Sequence, residues 1–145
     1  TNFYVAPTCS PTRSMLLTGT DNHVAGFGVM SEYTGPQQKG KPGYEGHLNQ
    51  RVTSIATLLR DSGYHTYMAG KWHLGEEKGQ WPADQGFERD FTLMQGGGSH
   101  WSDMGYPNPQ HPNLTFTRNG KLLDKLPDDH FSTAAFSDFI AQSIV

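Results

Sequence analysis

Residues 53–75 constrain the fold more than any other stretch of this 145-residue chain. Thr53 or Ser54 can cap a helix, and Ile55, Leu58 and Leu59 fall at the i, i+3, i+4 spacing of one apolar stripe. Gly63 stands where a helix end wants a left-handed residue. Tyr64 to Ala69 then alternates and is rich in aromatic and β-favouring residues, which predicts a strand. Helix, glycine and strand make half of a βαβ unit, so the predicted fold class is α/β. In open α/β sheets, ligands sit beyond the carboxyl ends of strands. Here that end reads Gly70-Lys71-Trp72-His73-Leu74-Gly75. In an extended chain Lys71 and His73 share one side and Trp72 turns to the other. A cation and an imidazole aimed together suit a divalent oxyanion.

A second stretch, Cys9 to Gly19, carries the sole cysteine of the chain. Ser10 followed by Pro11 predicts a helix start, since serine caps free N–H groups and proline fits the first helical position. Met15, Leu16 and Leu17 give this helix an apolar face, and Thr18-Gly19 stops it. On this reading Cys9 lies just before a helix N-terminus, where partial positive charge favours an anion. Arg13, one turn on, can come back toward Cys9 on the same face.

The remaining segments set the frame. The region from Thr20 to Gln50 is polar and glycine-rich, and its His23 and His47 have no ligand spacing, so they read as solvated or incidental. Arg89 to Met94 predicts a short strand. Leu114–Thr117 and Lys121–Leu123 flank Arg118-Asn119-Gly120, a hairpin signal. Asp128-Asp129-His130 precedes a helix from Ser132 or Thr133, with Phe136, Phe139, Ile140 and Ile144 on its apolar face. Acidic residues there complement the helix dipole, which accounts for them without a metal. A net charge of −3 gives no electrostatic case for nucleic acid or a membrane surface as partner. No stretch approaches the roughly 18 apolar residues of a membrane span. One cysteine excludes an internal disulfide and a Cys-based zinc site, and leaves the compartment open.

Cys9-x-Pro11-x-Arg13 followed by Thr18-Gly19 resembles the first signature of the type I sulfatases, within the alkaline-phosphatase superfamily. Gly63-Tyr64-x-Thr66 leading to Gly70-Lys71-x-His73-Leu74-Gly75 resembles the second, in family order. The resemblance implies a mixed sheet flanked by helices. Residues 1–145 would form part of a sulfatase catalytic domain, with further parts before and after them. It implies a sulfuric ester hydrolase of arylsulfatase type acting on a small-molecule sulfate ester.

In that family the motif cysteine is oxidised to formylglycine by a maturation enzyme. By position, Cys9 would be the nucleophile, Arg13 would hold the hydrated aldehyde, and Lys71 would bridge aldehyde and sulfate. His73 would hydrogen-bond the nucleophile or sulfate. Ser99 or His100, in the glycine-rich run after Gln95, could line the pocket. The implied cofactor is Ca2+, with Cys9 as formylglycine its one ligand here and the aspartate ligands outside this stretch. The chain by itself is then expected to show low or no activity. A phosphonate monoester hydrolase or phosphodiesterase of the same superfamily, and an inactive anion-binding fragment or pseudoenzyme, are the alternatives.

Overall fold

The computed structural model describes residues 2, 4–107 and 113–144. The sequence predicts a proline-rich loop from Tyr106 to Pro112, and that stretch lies partly outside the described residues. In chain order the elements are α1 (Cys9–Thr18), α2 (Ile55–Asp61), β1 (Tyr67–Lys71), β2 (Arg89–Leu93), β3 (Phe116–Arg118), β4 (Lys121–Leu123) and α3 (Ser132–Ser143). Short 3₁₀ turns occur at Ser31–Tyr33 and Pro82–Gln85. The strands form one sheet in the order β1-β2-β3-β4. β1 and β2 are parallel, with Tyr67 opposite Arg89 and Lys71 opposite Leu93. β2–β3 and β3–β4 are antiparallel. The class is α/β, with a mixed sheet.

Side-chain alternation along β1 and β2 sends residues to two cores. Met68 and Met94 join Ala25, Phe27, Leu48, Trp72 and Leu74 on one side. Ala69, Phe91 and Leu93 join Leu114, Phe116, Leu126 and Phe139 on the other. α3 covers that second side, packing on β1 and β2. The Phe91 ring lies 5.2 Å from Phe136, 6.0 Å from Phe139 and 6.3 Å from Phe116, centroid to centroid. Burying a phenylalanine of this kind contributes about 1.5–3 kcal/mol. Ile144, expected on the same apolar face, is exposed just past the helix end.

The β3–β4 hairpin turns at Asn119 (φ 51°) and Gly120 (φ 72°), as the Asn-Gly pair predicts. Its tip is fastened from below by a carboxylate. Asp90 is fully buried and accepts from the Gly120 N–H at 2.7 Å and the Thr117 hydroxyl at 2.6 Å.

Four expectations need correction. The stripe of α2 does not face the core: Ile55 is 50% and Leu58 58% exposed, and Leu59 is exposed too. Ala56 turns inward instead. The helix is held by polar groups, because Ser54 caps the Thr57 N–H at 3.1 Å and both hydroxyls donate to the Gln85 carbonyl. Gly86 allows this approach, since a Cβ there would lie 2.4 Å from the Thr57 nitrogen. In α1, Thr8 is the N-cap and Cys9 is already the first helical residue, so Ser10 caps nothing and is buried. Met15, Leu16 and Leu17 make no common buried face, for Leu16 is exposed while Leu17 reaches the first core. The buried side of α1 is Ser10 and Ser14, one turn apart, which lets the helix sit close. Finally, β1 begins at Tyr67, not Tyr64, and runs on to Lys71.

Candidate active site at the tip of the first strand

Gly19, with φ 64°, ends α1 as a left-handed cap, its N–H donating to the Met15 carbonyl at 2.8 Å. Thr12 secures the other end by donating its hydroxyl to the Ala6 carbonyl at 2.8 Å. This leaves Cys9 in the first turn of α1 with its thiol exposed, beside backbone N–H groups that lack helical partners.

Arg13 connects this helix to the sheet. Its Nε donates to the Trp72 carbonyl at 2.7 Å, and Nη2 donates to the Lys71 carbonyl. Both acceptors lie at the carboxyl end of β1. Burial lowers the Arg13 pKa from its ordinary value, while the nearby Cys9 sulfur acts in the opposite direction. The Cys9 turn and the Lys71–His73 tip, 58 or more residues apart in sequence, are thus joined through one guanidinium.

The tip itself is built around a buried tryptophan. Trp72 and Leu74 are both fully buried in the first core, and the Trp72 indole donates to the Gln80 carbonyl at 3.0 Å. The ladder continues beyond β1, with the Trp72 N–H on Leu93 at 2.7 Å and the His73 N–H on Met94 at 3.0 Å. At His73 the backbone turns left-handed, with φ 55°. Simple alternation of Lys71 and His73 therefore stops one residue past Trp72. The two are still neighbours electrostatically. Burial lowers the His73 pKa first, Glu32 opposes that, and the Lys71 charge lowers it further.

His73 is only 5% exposed. Its Nε2 lies 3.1 Å from one oxygen of Glu32, and its Nδ1 is buried without a partner among the described residues. It borders a cavity of about 390 Å³ with Ser31, Glu32, Glu76, Gln95 and Tyr106 among its walls. It also borders a second cavity of about 340 Å³ with His47, Glu77 and Gln80. Cys9 borders neither.

Sequence reasoning missed Glu32, Glu76, Gln95 and Tyr106, and set His47 aside. Each reaches the tip from a different loop, so no spacing marks them. Gln95 offered the best clue, as an amide directly after a strand. It donates to Glu76 at 2.7 Å and accepts from the Thr115 N–H at 2.8 Å. Ser99 and His100 border neither His73 cavity. The Ser99 hydroxyl donates to Asp103, and His100 Nδ1 pairs with the Ser132 hydroxyl at the start of α3. Ser99 ties its own loop together and His100 fastens that loop to α3, while Gln95 and Gly96 line the cavity.

Among the described residues, no group of three or more His, Cys, Asp or Glu side chains is placed to hold a metal ion. The residues present therefore do not make the implied calcium site. Among the described residues, no helix is long and apolar enough to cross a membrane.

Comparison with known proteins gives a consistent picture. The family model described as Sulfatase matches residues 1–144. An uncharacterized sulfatase of Schizosaccharomyces pombe is 45% identical over 100% of this chain and 27% of its own length. An arylsulfatase of Klebsiella aerogenes is 44% identical over 93% of this chain and 29% of its own. The chain thus spans less than a third of these relatives. Among solved structures, Ps i-CgsB superposes with a TM-score of 0.68 at 23% identity, over 95% of this chain and 32% of that one. That likeness concerns the fold.

Proposed function

Because this chain belongs to the sulfatase family, we propose that the protein carrying it hydrolyses sulfate monoesters at the tip of β1, with Cys9 as precursor of the nucleophile. One observation carries the reading: Arg13 binds the Lys71 and Trp72 carbonyls and so draws both signature segments to one place.

The chemistry asks for a nucleophile, positive charge around the sulfuryl oxygens, and a proton for the leaving oxygen. A thiol serves poorly, since a thiosulfate ester has no easy way to collapse and release sulfate. Oxidised to formylglycine, Cys9 would supply a hydrated aldehyde: one hydroxyl attacks sulfur as the S–O bond to the alcohol breaks and the alcohol leaves with a proton, and deprotonation of the other hydroxyl then expels sulfate and restores the aldehyde. The exposed, unpaired thiol in the first turn of α1 suits that modification by a maturation enzyme. Arg13 is fixed by two carbonyls, so its position costs little to hold when charge develops beside Cys9. Lys71 would meet a sulfate oxygen, and His73 would hold or pass a proton. The family implies calcium as well, but no step is assigned to it because the described residues do not form its site.

The test is hydrolysis of an aryl sulfate, with a phosphonate monoester in parallel, by the complete protein co-expressed with a formylglycine-generating enzyme. Sulfate turnover should exceed phosphonate turnover, and Cys9→Ala should reduce it on the order of 10³-fold or more. A Cys9 peptide that keeps its sulfur in the mass spectrum, or a preference for the phosphonate, would overturn the proposal.

A further inference from the structure

His73 is a buried imidazole with two nitrogens in different situations. Nε2 faces the Glu32 carboxylate, at 3.1 Å from Oε1 and 3.3 Å from Oε2. Nδ1 is buried with no hydrogen-bond partner among the described residues. A carboxylate accepts and cannot donate. Neutral His73 must then carry its proton on Nε2, and its lone pair sits on Nδ1.

Glu32 is well placed to enforce this. It sits in the 3₁₀ turn Ser31–Tyr33, closed by the Tyr33 N–H on Met30 at 2.9 Å and the Thr34 N–H on Ser31 at 3.2 Å. The Ser31 hydroxyl donates to its Oε2 at 3.2 Å. The ring is confined from the other side too. A Cβ on Gly96 would lie 2.8 Å from His73 Cε1, so backbone without a side chain closes that face. The imidazole has little room to flip and exchange its nitrogens.

We propose that Glu32 is the positioning residue of this site: it accepts the Nε2 proton of His73, fixes that tautomer, and holds the imidazole at the cavity wall with its lone pair on the enclosed Nδ1. The assignment of a substrate role to His73 rests on the sulfatase reading; the tautomer does not. The role resembles that of any acidic partner that orients a catalytic imidazole without touching the reacting atoms. The charged and titratable groups around the ring are Glu32 from the 3₁₀ turn, Lys71 from β1, Glu76 and Glu77 from the following loop, Tyr106 across one cavity, and Glu45 and His47 across the other.

The experiment uses the complete protein with nitrogen-labelled histidine. Long-range proton–nitrogen correlation spectra, with His73→Gln to identify the signal, read the tautomer directly. The expected pattern is protonated Nε2 and bare Nδ1. Glu32→Ala should lose that preference and lower kcat about tenfold with KM within about twofold, and Glu32→Asp should restore part of it. Glu32→Gln removes the charge that supports the imidazolium. The limb of the pH–rate profile set by His73 should then move to lower pH by about one unit. A protonated Nδ1 in the unmodified protein, or a profile unmoved in Glu32→Gln, overturns the proposal. The spectra of unmodified protein and Glu32→Gln decide it even if Glu32→Ala does not fold. Absence of sulfate turnover with the Nε2 pattern intact would sink the sulfatase reading alone.

Discussion

Two residues of this chain hold nearly the same unusual backbone for opposite reasons. Asn119 has φ 51° and His73 has φ 55°. Asn119 belongs to an Asn-Gly hairpin turn, where left-handed geometry is what the strand twist requires. Both N–H groups of that turn are matched: the Asp90 carboxylate takes the Gly120 N–H, and the Asp90 backbone carbonyl takes the Asn119 N–H at 2.7 Å. His73 has no such local motive. It is held left-handed by its neighbours, because Trp72 and Leu74 are both fully buried in one core and its own N–H is bound to Met94. Strain of this kind costs on the order of 1–3 kcal/mol and persists only where the surroundings over-determine it. The hairpin shows turn chemistry satisfied locally. The strand tip shows a conformation imposed from outside, with one ring nitrogen left unpaired.

The sharpest way to break the contrast is at the hairpin. Asp90→Ala leaves the Gly120 N–H and the Thr117 hydroxyl without their buried acceptor. Loss of about 3 kcal/mol or more is expected in denaturant unfolding. A loss below about 1 kcal/mol would mean that the turn chemistry alone holds β3 and β4.

At the strand tip the expected effect falls on function before stability. Gly96→Ala would press its methyl group into the His73 ring. About 1–3 kcal/mol of overpacking should be partly relieved by moving the imidazole away from Glu32. Activity should fall on the order of tenfold or more, while the melting curve shifts modestly. An active variant with unaltered His73 signals would show that the ring is not confined.

These two regions also show what can be read from residues alone. The hairpin, α3 and the helix–glycine–strand unit were legible because each is encoded within a few neighbouring residues. The two signature segments were legible for the same reason. The orientation of α2 was not. A stripe at Ile55, Leu58 and Leu59 says which side is apolar, and nothing of what that side meets. The cap of α1 was misplaced because Ser10-Pro11 looks like a start, whereas the helix begins two residues earlier, after Thr8. Glu32 and Gln95 lie far from His73 in sequence, and only the folded chain brings them together. Asp90 reads as an ordinary charge at a strand start until its burial beneath the hairpin is seen.

A smaller effect is expected from the turn itself. Gly120→Ala places a Cβ at φ 72°, about 3.2 Å from Ala83. The cost should be about 1 kcal/mol, whereas Asn119→Gly should be close to neutral. Equal costs at both positions would contradict the view that turn preference sets the conformation at Asn119.

The smallest effect comes from pH, and it separates the two sides of the sheet. Burial lowers the pKa of His73 at the tip and of His130, which packs against Phe91 and Phe116 in the α3 core. In the unfolded chain both titrate near the ordinary value of about 6.5. As pH falls below that value, the unfolded state binds protons before the folded state does. Stability is therefore fully present above about pH 6.5 and declines on acidification until the lower folded values are passed. Glu32 opposes the shift at His73 directly, while Asp129 does so at His130. Replacing Glu32 with Gln should therefore steepen the decline, because His73 loses the charge that supports its protonated form. Replacing Asp129 with Asn should steepen the part of the decline that belongs to His130. Unfolding curves between about pH 7 and pH 5 measure both slopes. If Glu32→Gln leaves the slope unchanged, the carboxylate does not act on the imidazole, and the strand tip is no more electrostatically organised than the core beneath α3.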